Sequence, residues 1–219
     1  MYKSLGLFVF AIFAYACQSS NQQEITRYHE DGRAKPVVAI ASMIDSTSSE
    51  LLWSLSDEFT ALIKNDLENK NELYLLEQQD YEGSTPSNES PFNNEFSWVK
   101  TAFSPNEFVV FMELVEHEDV PAEKIDGHAS TDFQETSYNL TMKVRLRIID
   151  LRKETPKVVL QEYLDNAYFV PKNLIRTDYN RVVFGTREYE ETPMSIAHST
   201  LAKEIAERVS DYILLAKSR

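Results

Sequence analysis

The segment Tyr138-Asn139-Leu140-Thr141-Met142-Lys143-Val144-Arg145-Leu146-Arg147-Ile148 alternates apolar and polar residues without a break. Successive side chains on a strand point to opposite faces, so this period of two specifies one long, half-buried strand. Leu146 belongs to its inward face and Arg145 to a solvated one. Residues 150–156 turn the chain, and 157–170 return as a less regular strand, which completes an antiparallel hairpin.

The apolar face of such a hairpin needs a cover, and two amphipathic segments can supply it. Leu55, Phe59, Leu62, Ile63 and Leu67 form one stripe at helical period, and Ser54 with Asp57 resembles a capping box. Ile196, Ala197, Leu201, Ile205, Val209, Tyr212 and Ile213 form another, opened by Thr192 as N-cap and Pro193 at the first helical position. Val37-Val38-Ala39-Ile40-Ala41 reads as a strand covered on both faces. Leu73-Tyr74-Leu75-Leu76 reads as a second strand, and Phe108 to Val115 as a third, nearly all apolar. Phe96, Val99 and Phe103 mark a short helix closed by Pro105. The order β-α-β-α-β-β-β-α predicts a single-domain α+β fold: a mixed sheet of about five strands with an antiparallel hairpin and helices packed on it.

Composition narrows the functions such a domain could serve. Among 219 residues the formal net charge is −13, which repels phosphate and anionic lipid and argues against nucleic acid as a partner. Cys17 is the sole cysteine, so no internal disulfide and no cysteine-based zinc site can form. Its setting is distinctive. Lys3 precedes an uncharged run from Leu5 to Ala16, too short to span a bilayer, and the polar Gln18-Ser19-Ser20 follows. This reads as a lipoprotein signal over 1–16, cleaved before a Cys17 that carries the lipid. Ala14 and Tyr15 depart from the usual lipobox, which leaves ordinary cleavage at Ala14-Tyr15-Ala16 or an uncleaved anchor as the alternatives. A lipid-anchored flexible tether then covers 17–35 and a globular domain 36–219. Gln18 and Ser19 lack the aspartate that retains many lipoproteins at the inner membrane, so the outer membrane is expected.

Catalytic and metal-binding patterns are faint. Ser97-Trp98-Val99-Lys100 matches S-x-x-K, but Lys100-Thr101-Ala102 lacks the glycine of the companion K-T-G motif. His117-Glu118-Asp119-Val120-Pro121 begins like H-E-x-x-H, with proline where the second histidine must stand. Glu113, Glu116, His117, Glu118 and Asp119 could gather a divalent ion, although a solvated acidic strand end explains them as well. His198 reads as a helix-surface or partly buried residue. The expectation is therefore a non-enzyme without cofactor, metal or small-molecule substrate, held to a membrane by lipid and binding a protein partner. Loops carry most recognition. The candidates are Phe92 in the 81–94 loop, and Tyr179, Phe184 and Tyr189 in 171–191. The 138–148 alternation also fits a transmembrane β-strand, but its partner mixes Glu162 and Asp165 into both faces.

Pro36 to Thr47, the following helix and Leu73-Tyr74-Leu75-Leu76 resemble the opening of a periplasmic α/β module. That module occurs in curli-secretion channel lipoproteins, lipoprotein activators of penicillin-binding proteins, and the amino-terminal domain of TolB. Ile149-Asp150-Leu151-Arg152 fits the D-x-R-type turn of its hairpin. Phe108 to His117 and Pro193 to Ser199 also resemble uncharacterised chlamydial lipoproteins. These resemblances imply the fold and an envelope location. They leave three functions open: a partner-binding lipoprotein, a curli-channel-like oligomer, and an enzyme of unrecognised type.

Overall fold

The computed structural model describes residues 26–76, 90–122, 137–171 and 177–219. The signal, Cys17 and the first part of the tether lie outside these residues, as does most of the 81–94 loop.

The core strand β4 (Phe108–Pro121) pairs antiparallel with β5 (Tyr138–Asp150), which pairs antiparallel with β6 (Lys157–Val170). On its other side β4 pairs in parallel with β1 (Val37–Ile40) and then with β2 (Ile44–Asp45). The two-residue β3 (Tyr74–Leu75) adds in parallel outside β1. The sheet thus has six strands, in the order β3-β1-β4-β5-β6 with β2 also against β4. Helices α1 (Leu55–Lys70) and α4 (Pro193–Lys217) pack on one face, while short α2 (Trp98–Ala102) covers part of the other. A single turn of helix, α3 (Arg187–Glu190), precedes α4.

The period-two reading holds residue by residue. Leu140, Met142, Val144, Leu146 and Ile148 are all buried under the helices. Ser54 caps α1 by accepting from the Asp57 amide, and Thr192 caps α4 by accepting from that of Ser195. Val38 and Ile40 enter the helix-side core while Ala39 enters the smaller core on the opposite face, as a doubly covered strand requires.

Three expectations need correction. The third strand does not stop at Val115 but continues to Pro121. Within it one extra residue, Val115, interrupts the ladder: Leu114 faces Val144 and Glu116 faces Lys143. Upstream of this bulge the even-numbered side chains point to the helices, and downstream the odd-numbered ones do. Residues 27–35, assigned to the tether, carry a small turn with a Tyr28–Ala34 bridge. Lys35 is buried there and donates to Asn71 at 2.5 Å. Finally, Arg145 is not freely solvated. Its guanidinium lies 4.5 Å from the centre of the Phe92 ring and 3.6 Å from the Glu113 carboxylate.

Candidate functional site

Each covering helix carries one ionisable residue inside its apolar stripe. Glu58 sits among Leu55, Phe59 and Leu62 on α1, and His198 among Ala197, Leu201 and Ala202 on α4. Where the two helices meet over β4, these side chains are fully buried and face each other. His198 Nδ1 and Glu58 Oε1 are 2.8 Å apart. The Tyr189 hydroxyl donates to the same oxygen at 2.5 Å, and Trp53 Nε1 donates to Oε2 at 2.7 Å. The phase shift after Val115 brings His117 to the helix side, where its Nε2 lies 2.9 Å from Nε2 of His198. Four separate segments are joined in this way around one carboxylate.

The electrostatics follow from that geometry. Burial alone would raise the Glu58 carboxyl, but hydrogen bonds and charge from His198, with the Tyr189 and Trp53 donors, hold it below the ordinary range. An ionised carboxylate only accepts, so His198 Nδ1 carries a proton. Between the two Nε2 atoms there is room for one proton: one ring donates and the other accepts. Burial, and then the charge of His198, lower His117 to about 4. Acid should therefore loosen this region. Unfolded His117 takes up its proton near pH 6.5, whereas the folded ring resists until about 4. The unfolded state thus binds more protons across that window, and stability falls as pH drops through it. Glu58 acts in the same direction, its contribution being lost below its depressed value. The urea midpoint should be flat above about pH 6.5 and fall below it. His117→Gln should remove on the order of 2–3 kcal/mol of that pH-dependent loss. An unchanged slope in the variant would contradict the buried-neutral assignment.

His117 also lines a cleft of about 380 Å³ with Leu51, Asp119, Tyr179, Asn180 and Met194. The chain Glu58–His198–His117 has the outline of a carboxylate–imidazole relay. Each Nε2 is spent on the other ring and His198 Nδ1 on Glu58, and His117 Nδ1 takes no part in these contacts. Partial desolvation of Asp119 raises its carboxyl, and burial of Tyr179 raises its phenol. Among the described residues no group of three or more His, Cys, Asp or Glu is placed to hold a metal ion.

The residues singled out from sequence separate in the fold. Tyr179 reaches the cleft, and Phe184 stays partly exposed beside Tyr189, their rings perpendicular at 6.0 Å. Tyr189 itself is 2% exposed and Phe92 6% exposed, so both face inward and neither offers a contact surface. Phe92 instead closes the smaller core beneath Arg145 and Arg147. Glu113 and Glu116 face away from His117, on the side bearing Arg145 and Lys143. Lys100 donates to the Lys153 carbonyl in the β5–β6 turn, so the Ser97–Lys100 pair makes no catalytic dyad. His198, expected near a surface, is fully buried. Glu58, His198 and Trp53 escaped attention as site residues, although a polar residue within each of two apolar stripes was a visible signal.

Fold and site together define a single-domain α+β protein with an ion-paired plug at one end of its sheet. It belongs to the family DUF7499, a family of unknown function, which matches residues 24–217. The structure of the hypothetical protein CT253 from Chlamydia trachomatis is similar to it. That likeness has a TM-score of 0.64 and 27% identity, over 82% of this chain and 98% of that one. Lipoprotein GNA1162 from Neisseria meningitidis aligns over 78% of this chain and 99% of its own, at 11% identity and a TM-score of 0.39. The PelC dodecamer from Paraburkholderia phytofirmans aligns over 78% and 83%, at 10% identity and 0.40. No curated protein matches the chain. Among the described residues no helix is long and apolar enough to cross a membrane.

Proposed function

We propose that this is a non-enzymatic lipoprotein of the cell envelope, acylated at Cys17 and held at the outer membrane. There it binds a protein partner through the cleft beside His117. The observation that carries the reading is the polarity of the sheet. The described chain begins beside Lys70 and Asn71, at the end where β1 and β4 start. The cleft lies at the opposite end, nine residues along β4 from Phe108 to His117, or about 30 Å at 3.3 Å per residue. Cys17 and Thr26 are nine residue steps apart, a reach of at most about 30 Å. An anchor on that side leaves the cleft end facing outward, within reach of a partner near the same membrane. Asp119 lines the cleft and is exposed there, which suits a partner segment that brings a lysine or arginine into it.

Affinity capture from native envelopes tests both parts. Metabolic labelling with a fatty-acid analogue should tag the wild type, and Cys17→Ser should abolish label and processing. Tyr179→Ala with Phe184→Ala, in protein shown to be folded, should reduce recovery of the captured partner at least tenfold. An unlabelled wild type would remove the anchor. Full recovery by the double variant would move the interface elsewhere.

A further inference from the structure

The net charge of −13 conceals a segregation along the sheet. Acids crowd the cleft end: Glu116, Glu118 and Asp119 on β4, with Asp45 and Glu50 nearby. At the other end the sign reverses. A recess of about 480 Å³ lies between the β5–β6 turn and the end of α4, lined by Arg152, Lys153, Lys157 and Arg219. Its floor includes Val158, Tyr212 and Leu215, and Leu215 is 49% exposed. The acids around it are largely engaged. Asp150 accepts from Arg152 at 2.7 Å, and Glu107 from Lys217, which leaves Glu154 as the free acid of the turn. Lys153, Lys157 and Arg219 have no ion-pair partner among the described residues.

This cationic recess stands where the chain joins the domain. The Val37 amide donates to Glu107 Oε2 at 3.1 Å, and Lys217 bonds the other oxygen of the same carboxylate. The start of β1 and the end of α4 are therefore tied to one side chain. We propose that the recess docks on an anionic phospholipid surface, its cations meeting lipid phosphates and Leu215 entering the headgroup layer. The domain would then stand with the His117 cleft directed away from the bilayer. This rests on lipid attachment at Cys17. The overall negative charge does not forbid it. The acidic end lies about 30 Å away, beyond the Debye length of roughly 8–10 Å at physiological salt, so the surface senses the local cations.

The test uses the full chain, purified in its lipidated form and reconstituted into vesicles. With Cys17 acylated, Leu215→Cys introduces the one reactive thiol, which takes an environment-sensitive fluorophore. Flotation with pure phosphatidylcholine vesicles reads the anchor alone. Quenching of the fluorophore by headgroup-labelled lipid reads docking, and should be at least threefold greater when phosphatidylglycerol is included. Each cation removed should lower the docked-to-undocked ratio roughly fivefold, so Lys153→Glu with Lys157→Glu should return quenching to the phosphatidylcholine level. High salt should do the same. Flotation with equal quenching in both vesicle types, or quenching untouched by the charge reversals, would overturn docking and leave the anchor standing. Failure to float on phosphatidylcholine would instead remove the anchor, and docking with it.

Discussion

Glu58→Ala is expected to lower the unfolding free energy by about 4 kcal/mol, within the range for removing one partner of a buried ion pair. The carboxylate is fully buried and accepts from three donors: His198 Nδ1, the Tyr189 hydroxyl and Trp53 Nε1. Truncation strands all three, and each unsatisfied buried group costs roughly 1–3 kcal/mol. Water admitted into the new space would recover some of this, which keeps the expectation below the sum. Glu58→Gln keeps one acceptor oxygen but loses the charge, and should cost about half as much. Urea unfolding followed by tryptophan fluorescence measures both, because Trp53 lies in the network. A loss under about 1 kcal/mol for the alanine variant would show that the network is not what binds α1, α4 and β4 together.

Leu146→Ala should cost about 2–5 kcal/mol as a cavity in close-packed surroundings. Its side chain is fully buried, with Met112 opposite on β4 and the two long helices above. One residue away, Arg145 covers the Phe92 ring and pairs with Glu113 at 3.6 Å, but keeps about a quarter of its side chain in water. Arg145→Ala should therefore cost about 1 kcal/mol, mostly from the lost contact with the ring. The contrast between neighbours is the test. Equal losses at both positions would mean that the sheet does not divide its faces in the way the alternation demands.

Much of this fold was legible because its elements announce themselves locally. The alternation through Ile148 and the stripes of α1 and α4 are periodic patterns, and Thr192-Pro193 is a start signal that acts through adjacent atoms. The buried network was not legible for a complementary reason. Glu58 and His198 are 140 residues apart and meet only because two helices cross over the same strand. His117 was visible beside Glu118 and Asp119 as a candidate ligand, but its inward place was not, because the apolar–polar pattern fails just where Val115 shifts the phase. The loop aromatics divided on packing that composition does not encode. Phe92 and Tyr189 are spent inside, one under two arginines and one against Glu58, while Tyr179 and Phe184 keep access to solvent. For Arg147 the alternation gave the right face and the wrong surroundings: it is buried, with its guanidinium held by the carbonyls of Pro91, Phe92 and Asn93.

The unpaired residue at Val115 makes the register of β4 against β5, and not composition alone, something the protein must preserve. Were the ladder to run on regularly past Leu114, Val115 would face Lys143 and Glu116 would take the place opposite Met142 that His117 now holds. A second carboxylate would then crowd the imidazole that already serves Glu58, and the strand beyond would present its solvent side to the helices. Every amino acid could be unaltered and the cleft end would still come apart. What sequences built on this plan must keep is therefore the pairing of His117 with Met142 and not the residue count of β4: losing Val115 outright leaves Glu116 opposite Lys143 and His117 opposite Met142.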